Sequence, residues 1–251
     1  MPYLASQATK TVTSAAIAKW TLTLDPLPSY LVAGDGAYFS GRLMRDAVGA
    51  AGETVKIQYC LYDKPHICYD IASVTTDSQG YFAYDWDIPY TMGCKRYLFL
   101  AVHPASGASS AMQDRPVAFR TRISISAPDK VSAGTPFTVS GKLEYESDRG
   151  TYSPLAGKTV SIYYDTTKLA DVTTAGDGSY SATVSIGTTG VFTLKAVYAG
   201  EGLFLTSFGT ISIPVVGGIP GYVLTIAGVA GVLAVVAAPI VITEWRKKAR
   251  G

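Results

Sequence analysis

The stretch FTVSGKL at residues 137–143 alternates apolar and polar side chains, and a similar stretch, AYFSGRL, occupies residues 37–43. In an extended chain Phe137 and Leu143 point to one side and Thr138 to the other, the pattern of a strand with one buried face. The chain therefore contains the same strand twice, about 100 residues apart.

Three further pairs of segments follow this strand in the same order in both halves. They match TVKI to TVSI, TTDSQGYF to TTAGDGSY and YLFLAV to FTLKAV, at residues 54–57 and 159–162, 75–82 and 173–180, and 97–102 and 192–197. Short alternating segments separated by turn signals such as Asp177-Gly178 are typical of two packed sheets. The repeat therefore predicts an all-β chain with two domains of about 100 residues each.

These motifs, in this order, resemble the prokaryotic immunoglobulin-like repeat domains of membrane-anchored surface proteins. The resemblance implies two tandem immunoglobulin-like β-sandwiches at residues 20–120 and 121–217, after an N-terminal extension at residues 1–19. It implies a structural or interaction role and is nearly silent on activity, because sandwiches of this kind carry many functions.

An uncharged segment near the C-terminus predicts a membrane span. Residues 222–243 would extend about 33 Å as a helix, enough to cross a hydrocarbon core of about 30 Å. Tyr222 and Trp245 stand where aromatic rings prefer the interface, and the basic tail at residues 246–251 is expected to stay cytoplasmic. We therefore expect one transmembrane helix at residues 218–245, with both β-domains outside the cytoplasm.

One face of this predicted helix carries only small residues. They are Ala227, Gly231, Ala234 and Ala238. Such a face lets helix backbones approach closely in lipid, although alanine and glycine are also common in membrane helices in general. It is a candidate contact with another membrane helix.

All three cysteines, Cys60, Cys68 and Cys94, lie in the first predicted domain. If a three-residue turn at residues 63–65 closes a hairpin, Cys60 and Cys68 lie opposite each other, close enough for a disulfide. An oxidising compartment permits that bond. Cys94 is then the spare cysteine, while a bond from Cys94 to either of the others, or no disulfide, stays open.

Metal binding is the alternative role for the polar side chains of this domain. The available soft ligands are His66, His103 and the three cysteines, with Met92 close to Cys94 as a weak axial ligand for copper, and no pair of them shows a tight metal motif. Asp77, Asp85 and Asp87 could offer oxygen ligands to calcium, but aspartates that alternate along a strand are more simply its solvent face. We expect neither a metal nor another cofactor.

Aromatic residues concentrate in the segment that starts at Tyr81. As a strand, this segment places Phe82 and Trp86 on one side, where we expect core, and Tyr81 on the other. Because tyrosine is enriched in protein interfaces, Tyr81, Tyr90 and Tyr97 form a candidate protein contact surface.

Charge and motifs narrow the function classes. The net charge of +2 comes from the basic tail, so we expect no nucleic-acid partner. Motifs for a nucleophile, a metalloprotease or a phosphate loop are missing, so we expect neither an enzyme nor a small-molecule substrate. The prediction is a membrane-anchored, extracytoplasmic structural or interaction protein that presents two immunoglobulin-like domains to partner proteins at the cell surface, as a homo- or hetero-oligomer.

Two alternatives to this function stay open. One is a non-catalytic accessory subunit of a multi-subunit membrane enzyme complex, in which the small helix face packs on other subunits. The other is a virion or envelope surface protein.

Overall fold

A computed structural model describes residues 18–217, which form strands, turns and one short 3-10 helix. Most of the predicted N-terminal extension, the predicted transmembrane helix with its small-residue face and interfacial aromatics, and the basic tail lie outside the described residues. Within residues 18–217, no helix is long and apolar enough to cross a membrane.

The described residues divide into two units by their contacts. Unit 1 contains residues 18–122, Glu144–Ser153 and Ala199–Ser207, and unit 2 contains Ile123–Leu143, Pro154–Tyr198 and residues 208–217. Unit 1 is therefore not one continuous stretch of sequence, because two later segments of the chain complete it.

The strands follow one another closely along the chain. The first ten are β1 (Trp20–Leu24), β2 (Leu31–Val32), β3 (Gly36–Arg45), β4 (Val48–Gly49), β5 (Thr54–Leu61), β6 (Lys64–Thr75), β7 (Tyr81–Asp87), β8 (Lys95–His103), β9 (Ala108–Ser109) and β10 (Gln113–Ala118), with the 3-10 helix Tyr90–Met92 before β8. The other nine are β11 (Thr121–Ile123), β12 (Val131–Ser132), β13 (Phe137–Asp148), β14 (Thr151–Pro154), β15 (Thr159–Tyr164), β16 (Thr167–Thr173), β17 (Ser179–Val184), β18 (Gly190–Tyr198) and β19 (Ser207–Val216).

The first ten strands form two sheets with a shared apolar core. In the smaller sheet β3 pairs with β1, β4 and β7, and the larger sheet has the order β2-β10-β8-β5-β6, with β9 on β8. Alternate residues of each sheet are buried, and Phe39 of β3 meets Phe99 of β8 with ring centroids 5.8 Å apart. The core therefore lies between the two sheets, as in a sandwich.

The last nine strands repeat this arrangement. In their smaller sheet β13 pairs with β11, β14 and β17, and their larger sheet has the order β12-β19-β18-β15-β16. The registers also agree, since Gly41 pairs with Phe82 and Gly141 pairs with Tyr180. The predicted all-β class with two sandwiches is confirmed by this strand order.

A short parallel pair joins an early strand of each sandwich to its last strand. Leu31–Val32 runs parallel to Val117–Ala118, and Val131–Ser132 runs parallel to Val215–Val216. In each case only two residues on each strand are paired.

A buried threonine closes the same loop in both sandwiches. The Thr76 hydroxyl donates to the Ala50 carbonyl at 2.6 Å and accepts from the Glu53 amide at 3.0 Å. Thr174 makes the equivalent two bonds at 2.7 and 3.0 Å. Each hydroxyl thus satisfies a backbone donor and a backbone acceptor that a loop would otherwise leave unpaired.

The β5–β6 hairpin differs from the turn that the sequence predicts. Leu61 pairs with Lys64, so the turn has two residues, and the predicted three-residue turn at 63–65 is wrong. The next pair joins Cys60 to Cys68, which leaves three residues of β6 as a bulge. The bulge shifts the register so that the two cysteines become direct neighbours across the hairpin.

Candidate interaction surface

Two of the three cysteines form a disulfide. Cys60 and Cys68 are joined across the hairpin, with Cα atoms 4.0 Å apart. Cys94 is free and half-buried, and its thiol donates to the Leu203 carbonyl at 3.4 Å. Burial raises the pKa of the Cys94 thiol.

The histidines do not assemble a metal site. His103 is 1% exposed; its Nδ1 lies 2.7 Å from the Ser106 hydroxyl, and its Nε2 lies 3.2 Å from a Glu53 carboxylate oxygen. His66 is exposed in the hairpin bulge. Across residues 18–217, no three His, Cys, Asp or Glu side chains converge in a way that could hold a metal ion.

A glutamate, a histidine and a serine, the residue types of a hydrolase triad, lie together at the turn after β8. They are Glu53, His103 and Ser106, and their hydrogen bonds hold that turn in place. The Ser106 hydroxyl also accepts from the Ala108 amide at 3.2 Å, within the same tight turn. The Trp20 ring covers His103 with ring centroids 4.6 Å apart. The three polar groups therefore brace the β8–β9 turn against the start of β5, a role that their spacing in the sequence does not reveal.

Of the candidate calcium ligands, Asp77 has a local structural role. One Asp77 carboxylate oxygen accepts from the amides of Gln79 and Tyr81, at 2.8 and 2.9 Å, which closes the turn before β7. Asp85 and Asp87 are exposed on β7. Asp77 is thus a turn residue.

A cavity of about 420 Å³ lies beside the hairpin tip and is lined by Leu61, Tyr62, Asp63, Lys95, Arg96 and Tyr97. The Arg96 guanidinium stands 5.3 Å from the centroid of the Tyr62 ring and hydrogen-bonds both carboxylate oxygens of Asp114. The charge of Arg96 is therefore already paired within unit 1.

The three tyrosines predicted as a contact surface differ in their exposure to solvent. Tyr97 is 5% exposed and its hydroxyl donates to the Met92 carbonyl, so its assignment to a surface is wrong: alternation along β8 points it into the core with Phe99. Tyr90 is half-buried, with its ring against Gly34. Only Tyr81 stands clear of the fold, at 47% exposed.

Tyr81 belongs to a set of outward side chains on β3 and β7, called here the tyrosine face. Its members are Tyr38, Ser40 and Arg42 on β3 and Tyr81, Ala83 and Asp85 on β7. The register places Tyr38 beside Asp85, Ser40 beside Ala83 and Arg42 beside Tyr81. The face therefore has a tyrosine at each end and small side chains in its middle row.

Side-chain contacts hold part of this face in place. The Arg42 guanidinium lies 4.7 Å from the centroid of the Tyr81 ring, and its Nε donates to the Gln79 carbonyl at 3.0 Å. The Ser40 hydroxyl donates to an Asp25 carboxylate oxygen at 2.6 Å. Tyr38 is 60% exposed, the most exposed aromatic side chain of the tyrosine face.

The equivalent face of the second sandwich has no aromatic side chain. The residues at the matching register positions are Thr138, Ser140, Lys142, Ser179, Ser181 and Thr183. Four of them line a shallow depression of about 530 Å³, together with Ser124. Both sandwiches have the same backbone pairing here, so the tyrosines of unit 1 are not needed to build the sheet.

The strand order and the core between two sheets define a class: both sandwiches are immunoglobulin-like. No family model matches the chain, and no curated protein matches it in sequence. Likeness to solved structures lies at or below 16% identity in the three compared next, so it concerns fold alone.

Three solved structures illustrate that likeness. The fibronectin(III)-like modules of Clostridium thermocellum CbhA share 14% identity over 78% of this chain and 95% of theirs, with a TM-score of 0.34. The ICAM-5 D1–D4 ectodomain fragment shares 16% over 82% of this chain and 56% of its own, with a TM-score of 0.47. A 282-residue intimin fragment, solved with the intimin-binding domain of its translocated receptor, shares 13% over 76% and 64%, with a TM-score of 0.42. Function must therefore be argued from this chain's own residues.

Proposed function

We propose that this chain is a membrane-anchored, extracytoplasmic interaction protein in which unit 1 contacts a partner protein through the tyrosine face. The observation that carries the proposal is the difference between matched positions of one fold. Tyr38 and Tyr81 are exposed where the second sandwich has Thr138 and Ser179. Removing the apolar surface of an aromatic ring from water is favourable, so a partner that buries these two rings would be stabilised by that burial.

The chemistry of the face suits a protein partner. Tyrosine and arginine are among the residues that most often carry binding energy in protein interfaces. Here Tyr38, Tyr81 and Arg42 lie within a few residues on neighbouring strands, on a rigid sheet rather than on a loop. A rigid support lowers the entropy lost on binding.

Two features support an extracytoplasmic position for unit 1. The Cys60–Cys68 disulfide is the kind of bond that persists in oxidising compartments. The apolar segment at residues 222–243 and the basic residues after it support an anchor whose tail is cytoplasmic. The small face of that segment, from Ala227 to Ala238, supports a helix contact as well.

Site-specific photo-crosslinking in native membranes tests the proposal. A photoreactive amino acid placed at Tyr38 or Tyr81 should give a discrete crosslinked product. The matched controls place it at Thr138 or Ser179, which occupy the same register positions of the second sandwich. Equal crosslinking at all four positions, or none at Tyr38 and Tyr81, would overturn the proposal.

A double variant, Tyr38→Thr with Tyr81→Ser, separates binding from folding. It gives unit 1 the residues that the second sandwich carries at the matching positions of its own smaller sheet, so the variant should still fold. We expect the variant to lose the partner while its thermal unfolding changes little. A variant that unfolds early and loses the partner would show that the tyrosines act through stability instead.

A further inference from the structure

The tyrosine face contains one positive side chain, Arg42, and one negative side chain, Asp85, and both can form further hydrogen bonds or ion pairs with a partner. Arg42 uses its Nε, but within residues 18–217 its two terminal nitrogens make no hydrogen bond or ion pair. Asp85 is exposed, and no hydrogen bond or ion pair joins its carboxylate to another described residue. Exposed charges of this kind can pair with a partner at modest desolvation cost.

These two charges lie at opposite corners of the face. Arg42 and Asp85 sit on neighbouring strands, one on each side of the row formed by Ser40 and Ala83. Four residues of strand and one strand spacing separate their backbones by about 14 Å. Tyr38 and Tyr81 occupy the other two corners.

We propose that the tyrosine face binds the tyrosine face of a second copy of this chain. A two-fold axis in the plane of the sheet, perpendicular to the line from Arg42 to Asp85, brings Arg42 of each copy opposite Asp85 of the other. Two identical ion pairs then form at once, as an isologous contact requires. This inference rests on the proposed function and names the partner.

Shape supports the same arrangement. Facing sheets pack about 10 Å apart, a gap that an arginine side chain on one sheet can bridge to a carboxylate on the other. The middle row, Ser40 and Ala83, is small and leaves room for tyrosine rings that arrive from the other copy. The second sandwich cannot pair in this way, because Lys142 faces no acidic residue at the position of Thr183.

Charge reversal in the full-length chain tests this pairing. Arg42→Glu alone or Asp85→Arg alone puts like charges at both contacts, so each should weaken self-association by about tenfold or more. The double variant Arg42→Glu/Asp85→Arg should restore it, and so should an equimolar mixture of the two single variants. The measurement is sedimentation equilibrium of the full chain in mild detergent, with Lys142→Glu as the matched control that changes nothing.

The mixture isolates the tyrosine face from any association through the membrane segment, which all variants share. A wild-type chain that stays monomeric, or a double variant no better than the single ones, would overturn the inference. If crosslinking at Tyr38 and Tyr81 still captures another protein in that case, the proposed function stands and only the second copy is wrong. A crosslinked product of twice the chain's mass would support both.

Discussion

The two sandwiches share their strand order and differ in what they show to solvent. Inward positions keep their character, as when Phe39 of one matches Val139 of the other and Leu43 matches Leu143, all of them fully buried. Outward positions change more: serine or threonine replaces Tyr38, Tyr81, Ala83 and Asp85, whereas Ser40 recurs as Ser140 and Arg42 as the basic Lys142. An internal repeat therefore provides its own reference: what the fold needs recurs in both copies, and what occurs in one copy alone has another cause.

The larger sheets also differ at matched outward positions, on β8 and β18. Leu98 and Leu100 alternate with the core residue Phe99, and the matching positions of β18 are Thr193 and Lys195. Leu100 is nevertheless buried. Leu98 and Leu100 thus occupy positions that are polar in the second sandwich.

The disulfide is the difference between the sandwiches with the largest expected effect on stability. Replacing Cys60 and Cys68 by alanine should lower the free energy of unfolding of unit 1 by about 2.5 kcal/mol, because the closed loop restricts the unfolded chain. Unit 2 contains no cysteine, so its stability should not change. Hydrogen exchange followed by mass spectrometry measures both units in one sample.

Reduction of the wild-type chain is the control for that experiment. A reducing agent should reproduce the loss in unit 1 without any substitution. If reduction slows exchange, or speeds it equally in both units, the disulfide does not stabilise unit 1 selectively.

Removing the buried threonine hydroxyl should lower the free energy of unfolding equally in the two sandwiches, unlike removal of the disulfide. Thr76→Val and Thr174→Val each leave one backbone amide and one carbonyl of a loop unpaired, at a cost of about 1–2 kcal/mol. Because both hydroxyls make the same bonds, denaturant unfolding should give the same loss for the two variants. Losses that differ by more than about 1 kcal/mol would mean that these equivalent hydrogen bonds contribute unequally to the stability of the two sandwiches.

Acid should give the smallest effect, again in both copies. Hydrogen bonds from Lys56 and Gln58 lower the pKa of Asp70, and hydrogen bonds from Lys168 and Ser161 lower the pKa of Asp171, each below the usual 3.8. A carboxylate whose pKa is lower in the folded chain stabilises it above the unfolded pKa and loses that contribution as the pH falls through the folded value.

Both aspartates are exposed, so the loss should be slight. Denaturant midpoints at pH 6 and pH 3 should therefore fall a little less in Asp70→Asn and Asp171→Asn than in the wild-type chain. A steeper pH dependence in either variant would contradict the assignment of the lowered pKa to these hydrogen bonds.

The sequence predicts the fold well because both repeats show the same alternation of apolar and polar side chains along their strands. FTVSGKL and AYFSGRL lie in β13 and β3, where Gly41 is close to the end of the Phe82 ring and Gly141 is close to the Tyr180 hydroxyl. A Cβ on Gly41 or Gly141 would stand about 2 Å from a backbone carbonyl oxygen, which explains why this position repeats.

The candidate site is harder to predict because it depends on register and not on composition. Tyr97 reads as a surface residue until β8 is placed at the centre of its sheet, where one side faces the core. Tyr38 could be found from the sequence, because its alternation with Phe39 indicates an outward side chain and its match to Thr138 indicates that the fold does not need a tyrosine there. A two-residue turn followed by a bulge likewise has no clear signal in the hairpin sequence.

The short parallel pairs give each sandwich a direction of mechanical strength. In β2 and β10, and again in β12 and β19, an early strand runs alongside the last one in the same direction. Tension applied between the two ends of a sandwich slides such strands past each other, so that both residues' hydrogen bonds resist together instead of opening one after another. A pull between the start of β2 and the end of β10, or between the start of β12 and the end of β19, would therefore load all the hydrogen bonds of that pair at once.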